Sequence, residues 1–360
     1  MVSRKFQITW KNILLLALGL LAFFLYLYIF NVDIPTIIDK AQGMNLSIYL
    51  LAIATLVFET FLFALSWRFL LNFLSVKLSI VKSFLYVWFG IFMDIIIPAE
   101  SISGEISRIY LVTREQNESS GKVVASLVVH RLMGMGINIA SLLVGMVVLL
   151  MGKQFSGIVL SLTLFVVVLT TIFLILLFLL CIKEKWTLKI INAVMGFVDR
   201  VSRGRWKLTK IRADVIKAAK MFHDSMKEYG HAPKTLLTSL SLYVFAWLLS
   251  LTITYLVFLS IGHPIDWSII IVVRSIVVAV KAIPVGVPFE AGLPEITMST
   301  LYIFFGVDPV VSATATVLNR ILTVWFRFFV GFLIQQWLGI KAITTPSANI
   351  KPPKPETKKT

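Results

Sequence analysis

Cysteine is almost missing. Cys181 is the only one in 360 residues, which excludes an intramolecular disulfide and a thiolate metal cluster. The four histidines, His130, His223, His231 and His263, are scattered, with no pair at metal-ligand spacing, so a metal enzyme is disfavoured and no cofactor is expected. Acidic residues are scarce beside basic ones, 18 against 34, for a formal net charge of +16. In a soluble protein that excess would suggest nucleic acid, but no nucleic-acid fold motif accompanies it. Long polar stretches are missing too. The longest, Lys183–Lys234, is too short and too basic to hold a soluble catalytic domain.

Apolar sequence is what the chain has in plenty. Hydrophobic residues make up 58% of it, where soluble domains hold about 45–50%, and the mean hydropathy is +0.90. The class is an all-α polytopic membrane protein. Six segments are long enough to span: Ile13–Phe30, Ser47–Phe73, Val123–Met151, Phe155–Ile182, Thr235–Ile261 and Val310–Leu338. The first follows a basic start, is long for a signal-peptide core and has no small-x-small cleavage site after it, so it reads as a retained span. Two shorter apolar pieces are interrupted by Pro, Gly and charge: Ser83–Pro98, containing Asp94, and Trp267–Pro288, containing Arg274 and Lys281.

The connecting charges set the orientation. Arg4, Lys5 and Lys11 place the N-terminus inside, and residues 31–45 form an outer connection. Lys77 and Lys82 before Ser83–Pro98, and Arg108, Arg114 and Lys122 after it, both belong inside, so that piece enters and returns as a re-entrant hairpin. The linker 183–234 carries 13 Lys/Arg against 5 Asp/Glu and is cytoplasmic. Within it, "WTLKIINAVMGFVDRV" and "KIRADVIKAAKMFHDSMKEY" have apolar residues at helical spacing, Ile211, Val215 and Phe222 sharing a face of the second. Both read as helices lying on the anionic inner leaflet. The tail 341–360 is basic, Pro-rich, cytoplasmic and disordered. The last span then starts outside, near Asp308, which makes the Trp267–Val307 region a second hairpin of opposite orientation.

The two hairpins carry related motifs. "IIPAESISGE" ends on Glu105 and "GVPFEAGLPE" on Glu295. Pro98, Glu100 and Glu105 match Pro288, Glu290 and Glu295 in spacing. Arg131 follows Glu105 by 26 residues and Arg320 follows Glu295 by 25, after "VVASLVVHR" and "VSATATVLNR". Span, hairpin, motif and Arg-bearing span recur with inverted topology, in halves at about 47–151 and 235–338, within one transmembrane domain over 1–340. Non-helical backbone at membrane depth must be buried or line a wet cavity, so the two hairpins are expected to face one shared polar site.

A charge at the centre of a span costs roughly 2.5–3.5 kcal/mol, so the intramembrane charges should be paired. Glu105 with Arg131 and Glu295 with Arg320 are the natural pairs, either as structural ties or at a site. Glu59, midway along its span, is the hardest to explain as structure. Arg327 can snorkel to the inner face, Arg274 and Lys281 can flank the outer interface, and Glu105 with Arg108 can mark a solvated helix start. His130 reads as a packed interhelical hydrogen bonder.

At these residues, "IIPAESISGEISRIYLV", "VVASLVVHRLMG" and "PVGVPFEAGLPEITMSTLYIFFGVDPVVSATATVLNRILTVWF", the chain resembles the lysylphosphatidylglycerol synthase transmembrane-region family, also called flippase-like, from about Ile13 to Leu338. Gly104, Glu105 and Arg108 match the family's Gly-x-Gly-Glu-x-x-Arg-type motif, with Ser103 in place of a frequent Gly. His130 stands where the family often has an acid. Bifunctional members carry a separate soluble domain that makes aminoacylated phospholipids, and this chain reads as a stand-alone member without it.

The resemblance implies lipid translocation without naming the lipid. The expectation is a translocase, not an enzyme, moving a polar-headed anionic or polyprenyl-phosphate lipid across the prokaryotic plasma membrane, with both termini cytoplasmic. Glu59, Glu100, Glu105, Arg108, Arg131, Lys281, Glu290, Glu295 and Arg320 are the candidate site. Arg131, Arg320 and Lys281 would bind phosphate, and Glu59, Glu105 and Glu295 would balance charge, contact an amine or carry a proton. A separate lipid-synthesising enzyme and a second copy of the chain are further candidate partners; nucleic acid is not. The rivals are a proton-coupled solute transporter, a headgroup-modifying enzyme using the carboxylates as acid and base, and a membrane partner of a separate glycosyltransferase or synthase.

Overall fold

A computed structural model of the protein describes Tyr28 and residues 34–97, 102–116, 120–151, 157–201, 209–281 and 292–344. The expected first span (apart from Tyr28), Glu100, Glu290 and the expected disordered tail beyond residue 344 lie outside the described residues. Among those described, the regular structure is entirely helical: α1 (Ile34–Gln42), α2 (Leu46–Phe73), α3 (Ile80–Ile96), α4 (Ile102–Gln116), α5 (Ser120–Met151), α6 (Gly157–Ile182), α7 (Glu184–Val201), α8 (Thr209–Gly230), α9 (Pro233–Ser260), α10 (Trp267–Lys281), α11 (Leu293–Phe304) and α12 (Pro309–Arg320). A π-helical segment, Ile321–Phe326, joins α12 to α13 (Arg327–Thr344). Five stretches are long and apolar enough to cross a membrane: Leu46–Phe73, Ser120–Val148, Leu164–Ile182, Pro233–Ser260 and Pro309–Leu338.

The centre of the bundle is the antiparallel pair α2 and α9. At one end Asn45 N–H donates to Ser260 O at 2.7 Å. Further along, Ser66 Oγ donates to Ser239 O at 2.8 Å and Ser239 Oγ to Ser66 O at 3.0 Å. Beyond that, Tyr229 OH donates to Leu70 O at 2.9 Å. Buried Ala52, Ala64, Ala246 and Ser250 let the two backbones approach. Water gives no driving force for association in lipid, so small residues and interhelical hydrogen bonds hold such a pair.

That antiparallel pair fixes the topology. α3 starts beside the end of α2 that meets the start of α9, which is the end carrying Lys77, Lys82 and the basic linker. α10 starts at the other end, after Ser260. The two short helix pairs, α3–α4 and α10–α11, therefore enter the bundle from opposite ends. α3 and α10, with 17 and 15 residues, reach roughly 25 and 22 Å, short of a hydrocarbon core of about 30 Å. α5 leaves the basic end, where Gly121 packs on Ala218 and Phe222 of α8. Tyr49 OH, near the start of α2 at the other end, donates to Leu318 O near the end of α12 at 2.9 Å, and α13 finishes at the basic end with Leu338 against the Leu70–Leu78 cluster. The halves run in opposite senses, as the repeated motifs require.

The connection 31–45 contains α1. Ile34, Ile37, Ile38 and Ala41 stand at helical spacing, and Ile37 is buried against Ala313 of α12. α8, expected to lie on the leaflet, docks on the protein instead. Its Tyr229 bonds Leu70 O, and its buried His223 ring approaches Cys181 O at 3.0 Å through Nδ1. The apolar face that looked membrane-directed is spent on helix packing. α7 does keep an outward stripe, with Trp186, Ile190, Val194 and Phe197 all exposed.

Candidate functional site

The site is built from the first hairpin. Asp94, near the end of α3, accepts from Ser103 Oγ at 2.8 Å and from Gly104 N–H at 2.6 Å. Gly104 lies in the first turn of α4, whose N–H groups have no intrahelical partner, so Asp94 caps that helix from across the hairpin. A Cβ at position 104 would meet the Asp94 carboxylate and the Gly90 carbonyl. Glycine is therefore what lets the two helices close, and the closed seam turns Glu105 and Arg108 into the bundle.

Arg108 is buried, 7% exposed, with its guanidinium carbon 5.2 Å from the Trp67 ring centroid. Trp67 is fixed in turn by its Nε1–H donating to Ser126 Oγ at 3.1 Å. Arg108 Nε has only a long 3.4 Å contact to Gly104 O, and its buried Nη1 has no hydrogen-bond partner. One turn earlier on the same helix, Glu105 pairs with Arg131 of α5 at 3.4 Å. His130, next to Arg131, packs between Phe63 and Tyr243 with ring centroids 4.5 and 4.6 Å away, and its buried Nε2 is also unpartnered.

Glu59 closes the site from α2. Arg327 Nη2 donates to it at 2.7 Å and Thr60 Oγ1 at 3.1 Å, while Arg327 Nε is buried without a partner. Arg327 owes its direction to the π-helical segment before it. Seven α-helical steps of about 100° would bring it to within about 20° of Arg320. The wider π turn separates them, so Arg320 meets Glu295 of α11 at 2.6 Å and Arg327 meets Glu59.

These groups enclose a cavity of about 610 Å³. Glu59, Asp94, Glu105, Arg108, Arg131 and Arg327 supply its charges, with His130, Asn138 and Tyr243 in the same wall. Glu59 stands midway along α2, which puts the cavity at mid-depth. Leu169 and Phe173 of α6 and Val278 of α10 also line it and are about half exposed, so it opens sideways onto the apolar flank of the bundle. Among the described residues, no cluster of three or more His, Cys, Asp or Glu could hold a metal.

The cavity gathers four of the residues marked in the sequence: Glu59, Glu105, Arg108 and Arg131. Glu295 and Arg320 pair, but outside its wall, and Lys281 at the end of α10 does not line it either. Of the second hairpin's described residues, Val278 and Ala279 line the cavity and Glu295 does not. The reason is local. Glu295 also accepts from Gly292 N–H at 2.8 Å, capping α11, and its pair with Arg320 is tight, the side chains 13% and 9% exposed. Sequence reasoning left out Asp94, Tyr243 and Arg327. An acid ending an apolar run about ten residues before a helix start was the available signal for Asp94. Nothing local marked Tyr243, and Arg327 depends on the π turn.

The family model described as "Lysylphosphatidylglycerol synthase TM region" matches residues 14–331. The chain is 23% identical to a UPF0104 membrane protein of Pyrococcus horikoshii, over 90% of this chain and 96% of that one. It is 22% identical to a UPF0104 membrane protein of Methanocaldococcus jannaschii, over 91% and 95%, and 22% identical to one of Methanothermobacter thermautotrophicus, over 91% and 96%. No solved structure matches the chain.

Proposed function

The chain belongs to the lysylphosphatidylglycerol synthase transmembrane-region family, and from that premise we propose that it carries polar-headed lipids, of anionic or polyprenyl-phosphate type, between the two leaflets. The observation that carries this reading is the charged cavity at mid-depth with a mouth on the lipid-facing flank. A lipid can place its headgroup there while its chains stay in the hydrocarbon. A soluble substrate would have no use for a mouth walled by Leu169, Phe173 and Val278.

Phosphate is the group the wall is best suited to hold. Arg108 Nη1 and Arg327 Nε are buried N–H donors without partners, and charge-assisted bonds to phosphate oxygens would satisfy them. His130 Nε2 offers a third contact. Glu59, Asp94 and Glu105 offset the mutual repulsion of the three arginines. The positive-inside rule puts the basic end of the bundle, and the linker on it, in the cytoplasm of a prokaryotic cell.

The test is translocation in proteoliposomes carrying headgroup-labelled anionic lipid and an external quencher. The expected result is loss of protected inner-leaflet fluorescence at least about tenfold faster than in protein-free vesicles, abolished by Arg108→Gln. Protein-free rates across a panel of headgroups would overturn the reading.

A further inference from the structure

Among the described residues, the charges that line the cavity cancel. Three carboxylates, Glu59, Asp94 and Glu105, face three guanidiniums, Arg108, Arg131 and Arg327, with His130 counted as neutral. A seventh charge stands just behind the wall. Arg274, in the middle of α10, is one helical turn from Val278, which lines the cavity. It lies within electrostatic reach of Glu59, Arg327, Tyr243 and Tyr302. Yet no hydrogen bond or ion pair within 4.0 Å reaches it from the described residues, and Glu59 Oε2 is already held by Arg327 and Thr60.

We propose that Arg274 sets the net charge of the site at +1 and thereby selects lipids whose headgroup is a phosphodiester of net charge −1. The inference rests on the lipid-carrying reading and names its substrate class. A cation at membrane depth without a counter-charge is costly, and a monoanionic headgroup supplies that counter-charge. A zwitterionic head leaves the excess in place. A fully ionised phosphate monoester overshoots it by one unit, and an aminoacylated phosphodiester with a cationic head adds to it. The space of about 610 Å³ leaves room beyond the phosphate for a neutral polyol or sugar. The unpartnered buried nitrogens of Arg108 and Arg327 give the phosphate its directional contacts once the side chains turn towards it, and Arg274 supplies the long-range charge.

Native mass spectrometry of the purified full chain would score binding of four lipids with identical acyl chains: phosphatidylglycerol, phosphatidylcholine, lysyl-phosphatidylglycerol and phosphatidic acid at a pH where it is dianionic. The wild type is expected to prefer phosphatidylglycerol over each of the others by about tenfold or more. Arg274→Gln should erase that preference, and Arg274→Lys should keep it. Glu105→Gln, which removes one negative charge and so raises the net charge by one, should move the preference to the dianion, so the inference does not depend on one variant folding. Equal binding of all four lipids by the wild type, or an unchanged preference in both Arg274→Gln and Glu105→Gln, would overturn it. The proteoliposome assay separates the two readings. Selective binding without translocation leaves an anionic-lipid site and removes the carrier, while translocation indifferent to headgroup charge and to Arg274→Gln keeps the carrier and removes this inference.

Discussion

Glu59 and Arg327 join the middle of α2 to the start of α13 at 2.7 Å, with side chains 12% and 19% exposed. Among the described residues, replacing Glu59 with Gln takes away the only charge facing Arg327 at contact distance. It leaves Arg327 with Nε already unpartnered and with a second cation, Arg274, in electrostatic reach. Removing one partner of a buried ion pair typically costs about 3–5 kcal/mol, whereas exchanging both for apolar groups of similar volume is often neutral. The cavity hydrates this pair in part, which places Glu59→Gln near the lower end, about 3 kcal/mol. Arg327→Met alone should cost a similar amount by stranding the carboxylate. The double exchange Glu59→Leu, Arg327→Met should recover at least about 2 kcal/mol of the summed losses. Reversible unfolding in mixed micelles of mild detergent and SDS, followed by circular dichroism, measures all four proteins as a double-mutant cycle. Additive losses, with no recovery in the double variant, would refute the claim that the two charges hold each other, and with it the role given to the π turn in aiming Arg327.

Gly104→Ala should open the hairpin seam. The new methyl meets the Asp94 carboxylate and the Gly90 carbonyl, an overpacking cost of about 1–3 kcal/mol. Gly136→Ala, where a Cβ meets nothing within 4 Å, should instead leave stability unchanged or raise it by up to about 1 kcal/mol. Deleting Thr323 from the π segment should regularise that turn to α-helix without rotating Arg327 away from Glu59, so stability should change little. A deletion of Leu333, in the regular helix after it, turns everything beyond by about 100° and should be far more damaging; equal losses in the two deletions would contradict this. Tyr229 sits on α8, outside the spans, and burial raises its hydroxyl pKa above the usual 10.0. A pKa raised on folding contributes stability below the unfolded value and loses it as pH climbs above about 10. Tyr229→Phe should therefore flatten the alkaline fall in melting temperature, at a cost near neutral pH of about 1 kcal/mol for the lost bond to Leu70 O.

Composition alone identified the membrane class, because about 20 consecutive apolar residues have few other homes. The four expected spans between residues 47 and 261 and the last one agree with the described helices to within a few residues. The short broken pieces became α3 and α10 for the same reason, each too short to cross and each carrying a charge. The repeat was legible as well, since Glu-to-Arg spacings of 26 and 25 are a one-dimensional trace of a duplicated packing arrangement, and both Glu–Arg pairs form.

What could not be read along the chain was the division of labour between the repeats. In the sequence, Glu105 and Glu295 are equivalent. In the fold, Glu295 is taken up by the cap of α11 and a tight pair with Arg320, while Glu105, one turn from Arg108 and more loosely paired with Arg131, lines the cavity. α8 is a similar case. Its periodicity dictates an amphipathic helix but not whether lipid or protein covers the apolar face, and Gly121 and Leu70 decided for protein. The partner of Glu59 lies 268 residues away and is reached only because one π turn re-aims Arg327. Sequence determines what lies within a few turns, since hydropathy, caps and spacing act over that range. Which buried charges end up paired, and which are left facing a cavity, depends on helices far apart in the chain meeting at one depth, and that only the tertiary structure decided.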